Sequence, residues 1–394
     1  MTLLDDAKII TTSNGAKAGT LYSIKPDSGL VDLNITRATT ATRVNESGNV
    51  VSVAVNEPQI DYSLGGCSNF LIEPQRTNLN LYSEEIDNAA WGKSDVTVTA
   101  NDITSPDGTT NADKCETLSA PAQMYQAISV SANTFYTWSF YVKRGTMTDI
   151  GAKVINLNGD SDYVAAQSYY SQTSASGWTR VSFSFQTGAN GGNSYFYPIN
   201  SSGVTGTIYL WGFQLEEGEH PQETSYIPTT SGSVTRNITL FDKTGIASVT
   251  NNAEGVLFLE YAFLNVTESG QKIMSIGENN GNSINIGRWG AGYMASATIG
   301  STNLMFSLSY KFPIADTNFH KTAVKYKSGD SAIWLDGVEE LASVATGTPS
   351  QPIDKISNAY NGIAGGFWAF EGRIKTILYF DSILTDAQLL ALTT

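Results

Sequence analysis

The stretch "WTRVSFSFQTG", from Trp178 to Gly188, decides the fold class. Val181, Phe183 and Phe185 alternate along it with small or polar residues. This period of two is typical of a β-strand that buries one face and exposes the other. A helix would space its apolar residues three or four apart, so the stretch predicts a strand in an all-β domain.

Two neighbouring stretches carry the same alternation. "FYTWSFYVKRG" (135–145) predicts a strand with Tyr136, Trp138, Phe140 and Val142 on one face. "TIYLWGFQLEEG" (207–218) predicts another, with one face formed by Tyr209, Trp211, Phe213 and Leu215 and the other by Ile208 and Leu210. Together the three strands indicate a two-sheet β-sandwich over residues 79–235, in which Trp138 and Trp211 belong to the core.

Residues 236–394 predict a second β-sandwich. "FHKTAVKYKSGDSAIWLDGVEE" (319–340) contains successive strands joined at "SGD" and at Asp336-Gly337, a dipeptide typical of tight hairpins. Trp334 lies within one of these strands and is expected in the core. The only clear helix begins at Thr385, whose hydroxyl can cap the first turn together with Gln388.

Residues 1–78 are poor in apolar side chains and predict an extended arm. Leu3, Leu4, Ala7 and Ile10 fit one or two helical turns, and a hairpin follows around "NESGN" (45–49). Because such a segment builds little core of its own, we expect it to dock on a partner surface. The predicted architecture is therefore all-β: an N-terminal docking arm followed by two β-sandwich, jelly-roll domains.

Composition excludes several functions. The chain has 394 residues, a net charge of −14 and only 15% charged residues, below the roughly 25% of ordinary soluble domains. Negative charge repels phosphate, so nucleic acid is not an expected partner. No apolar run is long enough for a membrane helix, and "MTLLDDAKIITT" lacks the features of a secretory signal, so we expect no membrane insertion and a chain made in a cytosol.

Motifs for catalysis and metal binding are missing from the sequence. Cys67 and Cys115 are far apart, which favours two separate thiols over a disulfide, and His220 and His320 are the only histidines. No nucleophile elbow, metalloprotease helix or phosphate loop occurs, and no acidic pair lies in a glycosidase-type strand motif. We therefore predict no enzyme activity, no catalytic residue and no firm metal site.

Calcium is the one cofactor for which the sequence offers candidate ligands, in its acidic loops. Asp160 and Asp162 lie in one such loop, and Glu216 and Glu217 in another. Carboxylate oxygens suit Ca²⁺, although solvated loop carboxylates are the simpler interpretation.

Three segments carry a resemblance to a known family: "ITRATTATRVNESG" (35–48), "FLIEPQRTNLNLYS" (70–83) and "LWGFQLEEGEHPQETSYIPTTSGSVTRN" (210–237). Over residues 30–237 the chain resembles bacteriophage tail and virion-surface proteins that contain a carbohydrate-binding-like jelly roll. The C-terminal region, with "FEGRIKTILYFDSILTDAQLLAL" (370–392), resembles concanavalin A-like or laminin-G-like lectin domains.

The resemblance implies a virion protein of the tail-fibre or receptor-binding type, exposed on the particle and binding host cell-surface glycans. It further implies contacts with other virion proteins through the N-terminal arm and assembly as a homo-oligomer, with a trimer favoured. The alternative is a purely structural head-fibre, capsid-decoration or tail-collar component whose lectin-like folds serve as spacers.

Sugar binding requires aromatic faces beside polar groups, and loop aromatics are more often available than strand aromatics. The candidate glycan-binding residues, all in turn-rich surroundings, are Tyr169, Tyr170, Tyr195, Tyr197, Trp289, Tyr293 and Trp368. Trp178 precedes a strand and is expected to seal a sheet edge.

Pro74, Arg76 and Asn78 within "FLIEPQRTNLNLYS" predict a structural joint. Pro74 disfavours a helix before it, and the arginine and asparagine side chains can bond neighbouring backbone groups.

Overall fold

A computed structural model describes residues 3–17, 19–119, 121–158, 162–201, 204–218, 222–264, 271–277, 282–313, 315–359 and 369–394. In chain order the first elements are α1 (Leu3–Asp6), β1 (Ile9–Lys17), β2 (Thr20–Lys25), β3 (Leu33–Thr36), β4 (Ala41–Val44), β5 (Val50–Val53), β6 (Gln59–Asp61), β7 (Asn69–Ile72) and β8 (Arg76–Asn78).

The central elements are β9 (Trp91–Ser94), β10 (Val96–Thr104), β11 (Thr110–Thr117), β12 (Ala122–Val130), β13 (Phe135–Arg144), β14 (Gly151–Asn156), β15 (Val164–Ser168), a 3-10 turn (Tyr170–Gln172), β16 (Thr179–Gln186), β17 (Gly192–Ser201), β18 (Gly206–Glu217) and β19 (Val234–Arg236).

The last elements are β20 (Leu240–Thr244), β21 (Glu254–Phe263), β22 (Gln271–Gly277), β23 (Ser283–Trp289), β24 (Gly292–Ile299), β25 (Thr302–Ser309), β26 (His320–Lys327), β27 (Ser331–Leu335), β28 (Val338–Ser343), β29 (Lys355–Ser357), β30 (Gly372–Phe380) and α2 (Asp386–Thr393). The all-β prediction is confirmed. Neither helix within the described ranges has the length and apolar character needed to cross a membrane.

The chain forms two compact units rather than an arm and two consecutive domains. Unit 1 comprises residues 1–40, 53–74 and 237–394, and unit 2 comprises residues 41–52 and 75–236. The chain therefore passes from one unit to the other at four points, and the expected boundaries at 78/79 and 235/236 fall instead at 74/75 and 236/237.

The fold contradicts the prediction that the N-terminal segment is an extended arm. β1 pairs with β30, and β3 pairs with β20, so strands from both ends of the chain share one sheet. Ile9, Leu21 and Leu33 are fully or almost fully buried in the same core as Ile377 of β30. The segment has few apolar residues because it completes an existing core rather than building one.

Unit 1 is built on a single antiparallel sheet of sixteen strands. Its main path runs β25-β24-β23-β22-β29-β20-β3-β2-β1-β30-β21-β26-β27-β28, and β7 joins β6 to β30. β25 at one end of this path lies against β27 and β28 at the other, so the sheet folds over onto itself. The enclosed core is aliphatic and aromatic, with Phe241, Tyr261 and Ile286 among its buried residues.

The local predictions for unit 1 are confirmed at its turns. Asp336 and Gly337 join β27 to β28 with φ of 47° and 76°, the left-handed pair that a two-residue hairpin favours. At α2, the Thr385 side chain accepts from the Gln388 backbone N–H and the Gln388 side chain accepts from that of Thr385, which is the expected capping box. Trp334 is buried, as predicted.

Unit 2 is a sandwich of two antiparallel sheets. One has the order β10-β11-β18-β13-β16, with β8 and β19 added beside β18, and the other has the order β15-β14-β17-β12-β9. β4 and β5 form the predicted hairpin, in which the backbone N–H of Asn45 donates to the carbonyl of Asn49. The core between the sheets contains Trp138, Phe140, Phe183 and Phe196, so the inward faces predicted for β13 and β16 are confirmed.

The predicted face assignment of β18 is wrong because the strand contains a bulge. Gly212 has a φ of +66°, and the pairing of β18 with β13 shifts register at this point. Ile208 and Leu210 before the bulge point into the main core, as do Phe213 and Leu215 after it. Trp211 is buried on the opposite face of its sheet, so it is a core residue as predicted but in a different cluster.

The two cysteines are unpaired, as the sequence favours. Cys67 is exposed in unit 1 and Cys115 is buried in unit 2. Burial raises the pKa of the Cys115 thiol well above its ordinary value, so this side chain is an inert part of the core.

Candidate functional site

The outer face of the five-stranded sheet in unit 2 carries a cluster of aromatic side chains. Alternate residues of β12, β14 and β17 point into the core, as Met124, Val154 and Phe196 do. The intervening positions face outward and include Tyr125, Lys153, Tyr195 and Tyr197. We call these four residues the tyrosine face.

The three rings of the tyrosine face contact one another. The centroid of Tyr125 lies 4.6 Å from that of Tyr195 and 5.2 Å from that of Tyr197, and the last two are 6.1 Å apart. These separations are typical of favourable aromatic pairs. Tyr125 and Tyr195 are partly exposed, whereas Tyr197 is buried.

Strand register explains why these side chains meet. Tyr195 and Tyr197 are two residues apart on β17 and therefore share a face. Lys153 pairs directly with Tyr197 across the β14–β17 ladder. The β12–β17 ladder is irregular between Met124 and Gln126, so Tyr125 lies opposite no single residue of β17 and its ring reaches both tyrosines.

Electrostatics at the tyrosine face come mainly from one cation and one anion. The Lys153 ammonium nitrogen is 4.6 Å from the centroid of the Tyr197 ring, which is within cation–π range. Burial raises the pKa of the Tyr197 hydroxyl, and the neighbouring Tyr125, Tyr195 and Asp162 raise it further. The Tyr197 hydroxyl is thus available as a neutral donor and acceptor near neutral pH.

Amide side chains beside the tyrosine face are fixed by hydrogen bonds. The Gln123 amide, two residues before Tyr125 on β12, donates over 3.4 Å to the side-chain oxygen of Asn200, its partner on β17. Rings beside amides are the combination that accommodates a ligand with both apolar and hydroxyl surface.

The outer side of the other sheet of unit 2 differs from the tyrosine face. Its outer side is covered by a separate apolar cluster of Val50, Ala112, Trp211 and Tyr226. Trp178 packs against this cluster, and its indole N–H donates to the Thr104 carbonyl over 2.9 Å, which agrees with the expected edge position.

The structure separates the sequence candidates of unit 2 into two groups. It brings Tyr195 and Tyr197 together on the tyrosine face. Tyr169 is fully buried and donates to the Pro198 carbonyl over 2.7 Å, so it is a core residue and its prediction as a binding residue is wrong. Tyr170 lies apart, under the Arg144 guanidinium at 4.1 Å from the ring centroid.

The candidates of unit 1 are likewise dispersed. Trp289 is 46% exposed and meets the exposed Phe306 edge-on, with ring centroids 5.7 Å apart. Tyr293 is buried against Tyr261 and Phe263 and is therefore a core residue rather than a binding residue. Trp368 lies outside the described residues.

Sequence reasoning missed Tyr125 and Lys153. Tyr125 lies in "AQMYQAISV", which shows the alternation of a strand, and an aromatic residue at an outward position there was the available signal. Lys153 has no such signal, because its relevance comes from pairing with a strand some forty residues away.

The predicted joint residues fall on both sides of a unit boundary. Pro74 is the last residue of its segment in unit 1, and Arg76 and Asn78 begin unit 2 as β8. The buried Asn78 amide donates to the carbonyls of Phe213 and Ile227, and its oxygen accepts from the N–H groups of Leu215 and Asn80. The Arg76 guanidinium lies so close to Gly218 that a β-carbon there would be 2.5 Å from it.

The acidic loops do not assemble a metal site among the residues that the structure describes. Both oxygens of the buried Glu216 carboxylate accept hydrogen bonds from Thr224. Glu217 accepts from the Tyr136 hydroxyl over 3.2 Å, Asp162 is exposed, and Asp160 lies outside the described residues. His320 is buried, and its ring nitrogens face Asp336 at 2.6 Å and Asp316 at 3.3 Å.

Comparison with known proteins gives similarity of fold alone. No family model matches the chain, and no curated protein matches it by sequence. The CBM40 module of a Ruminococcus gnavus sialidase, solved with alpha2,6 sialyllactose, has a TM-score of 0.30 and 11% identity over 38% of this chain and 92% of that one.

Two further solved structures are similar at the same level. The CBM22 tandem of Paenibacillus barcinonensis Xyn10C has a TM-score of 0.28 and 11% identity over 78% of this chain and 98% of that one. Domains LG4-5 of the mouse laminin alpha1 chain have a TM-score of 0.26 and 9% identity over 65% of this chain and 87% of that one.

Proposed function

We propose that unit 2 binds carbohydrate without catalysis through the tyrosine face. The observation that carries this proposal is the contact of three tyrosine rings on the outer face of a sheet, beside fixed amides. Pyranose rings present C–H groups on their faces and hydroxyls at their edges, so they match rings flanked by polar groups.

The proposal is tested by glycan-array and calorimetric binding with wild-type protein, Tyr125→Ala and Tyr195→Ala. Both variants remove partly exposed rings, so we expect a folded protein whose glycan affinity falls about fivefold or more, since a stacked aromatic contributes roughly 1 kcal/mol or more. Tyr22→Ala on β2 of unit 1, also partly exposed, is the matched control and should bind as wild type does. Unchanged affinity in both site variants would refute the assignment.

We propose further that the chain is a bacteriophage virion-surface protein that attaches to host glycans. The support is the resemblance of residues 30–237 to that family, together with a polar, weakly charged composition. Several copies, with a homotrimer favoured, would convert weak single contacts into firm attachment. Immunogold labelling of intact particles tests this role: label at the tail tip agrees with it.

The structural-spacer role is the alternative, and it makes different predictions. A spacer would be labelled on capsid or collar, and even multivalent display of the protein on beads would capture no host glycan. These two results together would refute the attachment role and favour the spacer role.

The N-terminal region supplies a candidate contact for other virion proteins. Leu4, Tyr22 and Ile24 are apolar and exposed, and Tyr22 and Ile24 point the same way from β2. The Lys25 ammonium donates to the Leu4 and Asp5 carbonyls, which holds α1 beside β2. Exposed apolar residues grouped in this way favour a protein contact.

A further inference from the structure

Among the described residues, Lys153 lacks the carboxylate partner that six other lysines have. Six lysines lie within 4 Å of a carboxylate: Lys8, Lys114, Lys311, Lys325, Lys327 and Lys375. Lys153 has no such partner in the part of the chain that the structure describes, and its ammonium nitrogen lies 4.6 Å from the centroid of the Tyr197 ring. Its positive charge is therefore not neutralised by a neighbouring side chain there.

The position of Lys153 allows its charge to act on a ligand bound at the tyrosine face. Lys153 lies opposite Tyr197 in the ladder, next to the rings that a sugar would contact. A cation–π contact orients the ammonium group while leaving its N–H donors free to bond elsewhere. An ammonium is a compact point charge that binds carboxylate, sulfate or phosphate oxygens without strict geometry.

The negative net charge of the protein does not exclude an anionic ligand. The net charge is −14, but charges farther away than about 8 Å are largely screened at physiological ionic strength. Contact is therefore governed by groups close to the tyrosine face. The opposing local group is Asp162, which is exposed and close enough to affect the Tyr197 hydroxyl.

We infer that the carbohydrate bound at the tyrosine face is acidic, with its ring stacked on Tyr125 and Tyr195 and its anionic substituent bound to Lys153. This inference rests on the proposed function and adds the chemical class of the ligand.

Matched pairs of acidic and neutral sugars test the inference. The probes are sialylated lactose against lactose and a galacturonate oligomer against the corresponding galactose oligomer, titrated into wild type, Lys153→Gln and Lys153→Arg. Lys153→Gln should weaken binding of the acidic sugars about tenfold without affecting the neutral ones, and Lys153→Arg should restore most of it.

Lys143→Gln, a partly exposed lysine on β13 of the other sheet, is the control and should bind as wild type does. If Tyr125→Ala abolishes binding but Lys153→Gln changes both sugar classes equally or not at all, the site binds sugars and the acidic class is wrong. If wild type binds none of the probes and no other glycan, the proposed function fails with it.

Discussion

The ring of Tyr125 lies directly over the backbone of Gly92, its partner on the neighbouring strand β9. A β-carbon at position 92 would be 2.4 Å from Cζ of that ring, far inside van der Waals contact. Glycine at this position therefore allows the ring to lie low on the sheet, where it contacts Tyr195 and Tyr197.

Gly92→Ala should consequently damage the tyrosine face while leaving the sandwich folded. The atoms that the new methyl group would meet belong to the outer part of the Tyr125 ring, which can rotate away. We expect glycan affinity to fall about as far as in Tyr125→Ala, with little change in thermal unfolding. Gly177→Ala, where a β-carbon meets nothing within 4 Å, is the control. Wild-type affinity in Gly92→Ala would show that the position of this ring does not matter.

Asn78 should be essential for the stability of unit 2. Its buried side chain makes four hydrogen bonds to the backbone, at 2.7–3.0 Å. Asn78→Ala would leave the buried N–H of Leu215 and two carbonyls without this partner, and each such group costs about 1–3 kcal/mol. We expect a loss of about 3 kcal/mol or more in the free energy of unfolding, measured by urea denaturation followed by tryptophan fluorescence.

The exposed Gln186→Ala on β16 of the same unit is the comparison, with an expected change within about 0.5 kcal/mol. A similar small change in Asn78→Ala would mean that water or neighbouring groups replace the lost bonds.

Asp113 should make the stability of unit 2 depend on pH. Burial, and then the nearby charge of Asp87, raise its pKa to about 6, although the N–H groups of Asn101 and Ile86 bond the carboxylate. The folded state therefore disfavours the ionised form, so stability is greatest below the ordinary value of 3.8 and decreases as the pH rises to about 6. Unfolding measured between pH 3.5 and 7 should show this decrease.

Asp113→Asn should reduce that slope, and the exposed Glu116→Gln on the same strand should not. Part of the slope will remain, because burial also raises the pKa of Glu84 in the same unit. An identical slope in Asp113→Asn and wild type would contradict the assignment.

His320 should stabilise unit 1 through its two carboxylate neighbours. His320→Leu would remove the buried ring whose nitrogens face Asp336 at 2.6 Å and Asp316 at 3.3 Å, and a buried polar group such as Asp316 that loses a hydrogen-bond partner costs about 1–3 kcal/mol. Lys327→Gln removes a more exposed ion pair, with Glu254, and should destabilise unit 1 much less than His320→Leu does. Equal effects in chemical denaturation would argue against a special role for the histidine.

The same substitution should alter acid unfolding. Burial tends to raise the pKa of Asp336, but the hydrogen bonds from His320 and the Lys321 N–H outweigh it and hold the pKa below 3.8. This stabilisation is present above 3.8 and is lost as the pH falls through the lowered pKa. His320→Leu should therefore show a smaller loss of stability below pH 4 than wild type.

The N-terminal apolar contact predicts a defect in assembly rather than in folding. Ile24 is 56% exposed, so under the proposed virion role Ile24→Asp should leave the isolated protein stable but prevent its incorporation into particles. Val344→Asp changes a residue that is 83% exposed elsewhere in unit 1 and should be incorporated normally. Quantitative immunoblots of purified particles measure both.

The sequence predicted single strands well and their partners poorly. Alternation identified β13 and β16 because their inward residues, such as Trp138 and Phe183, follow a strict period of two. It assigned Trp211 to the wrong face because the positive φ of Gly212 inverts the alternation at a bulge. The period of a strand contains no information about where such a bulge occurs.

Pairing between strands that are distant in the sequence also could not be predicted, either at the candidate site or in the N-terminal region. Tyr195 and Tyr197 were identified from local composition, but their contact with Tyr125 depends on β12 and β17 being neighbours. The first strands read as a dependent arm because β30, the strand that β1 pairs with, comes from the other end of the chain.

The pairing of β1 with β30 has a consequence for synthesis. On the ribosome β1 emerges before any residue of unit 2, whereas its partner β30 emerges only after the whole of unit 2 has been made. One edge of β1 must therefore wait without its native partner throughout the synthesis of unit 2, a period when exposed strand edges invite aggregation. A stop codon before Gly372 would leave β1 without β30, even though every residue of β1 itself would be present.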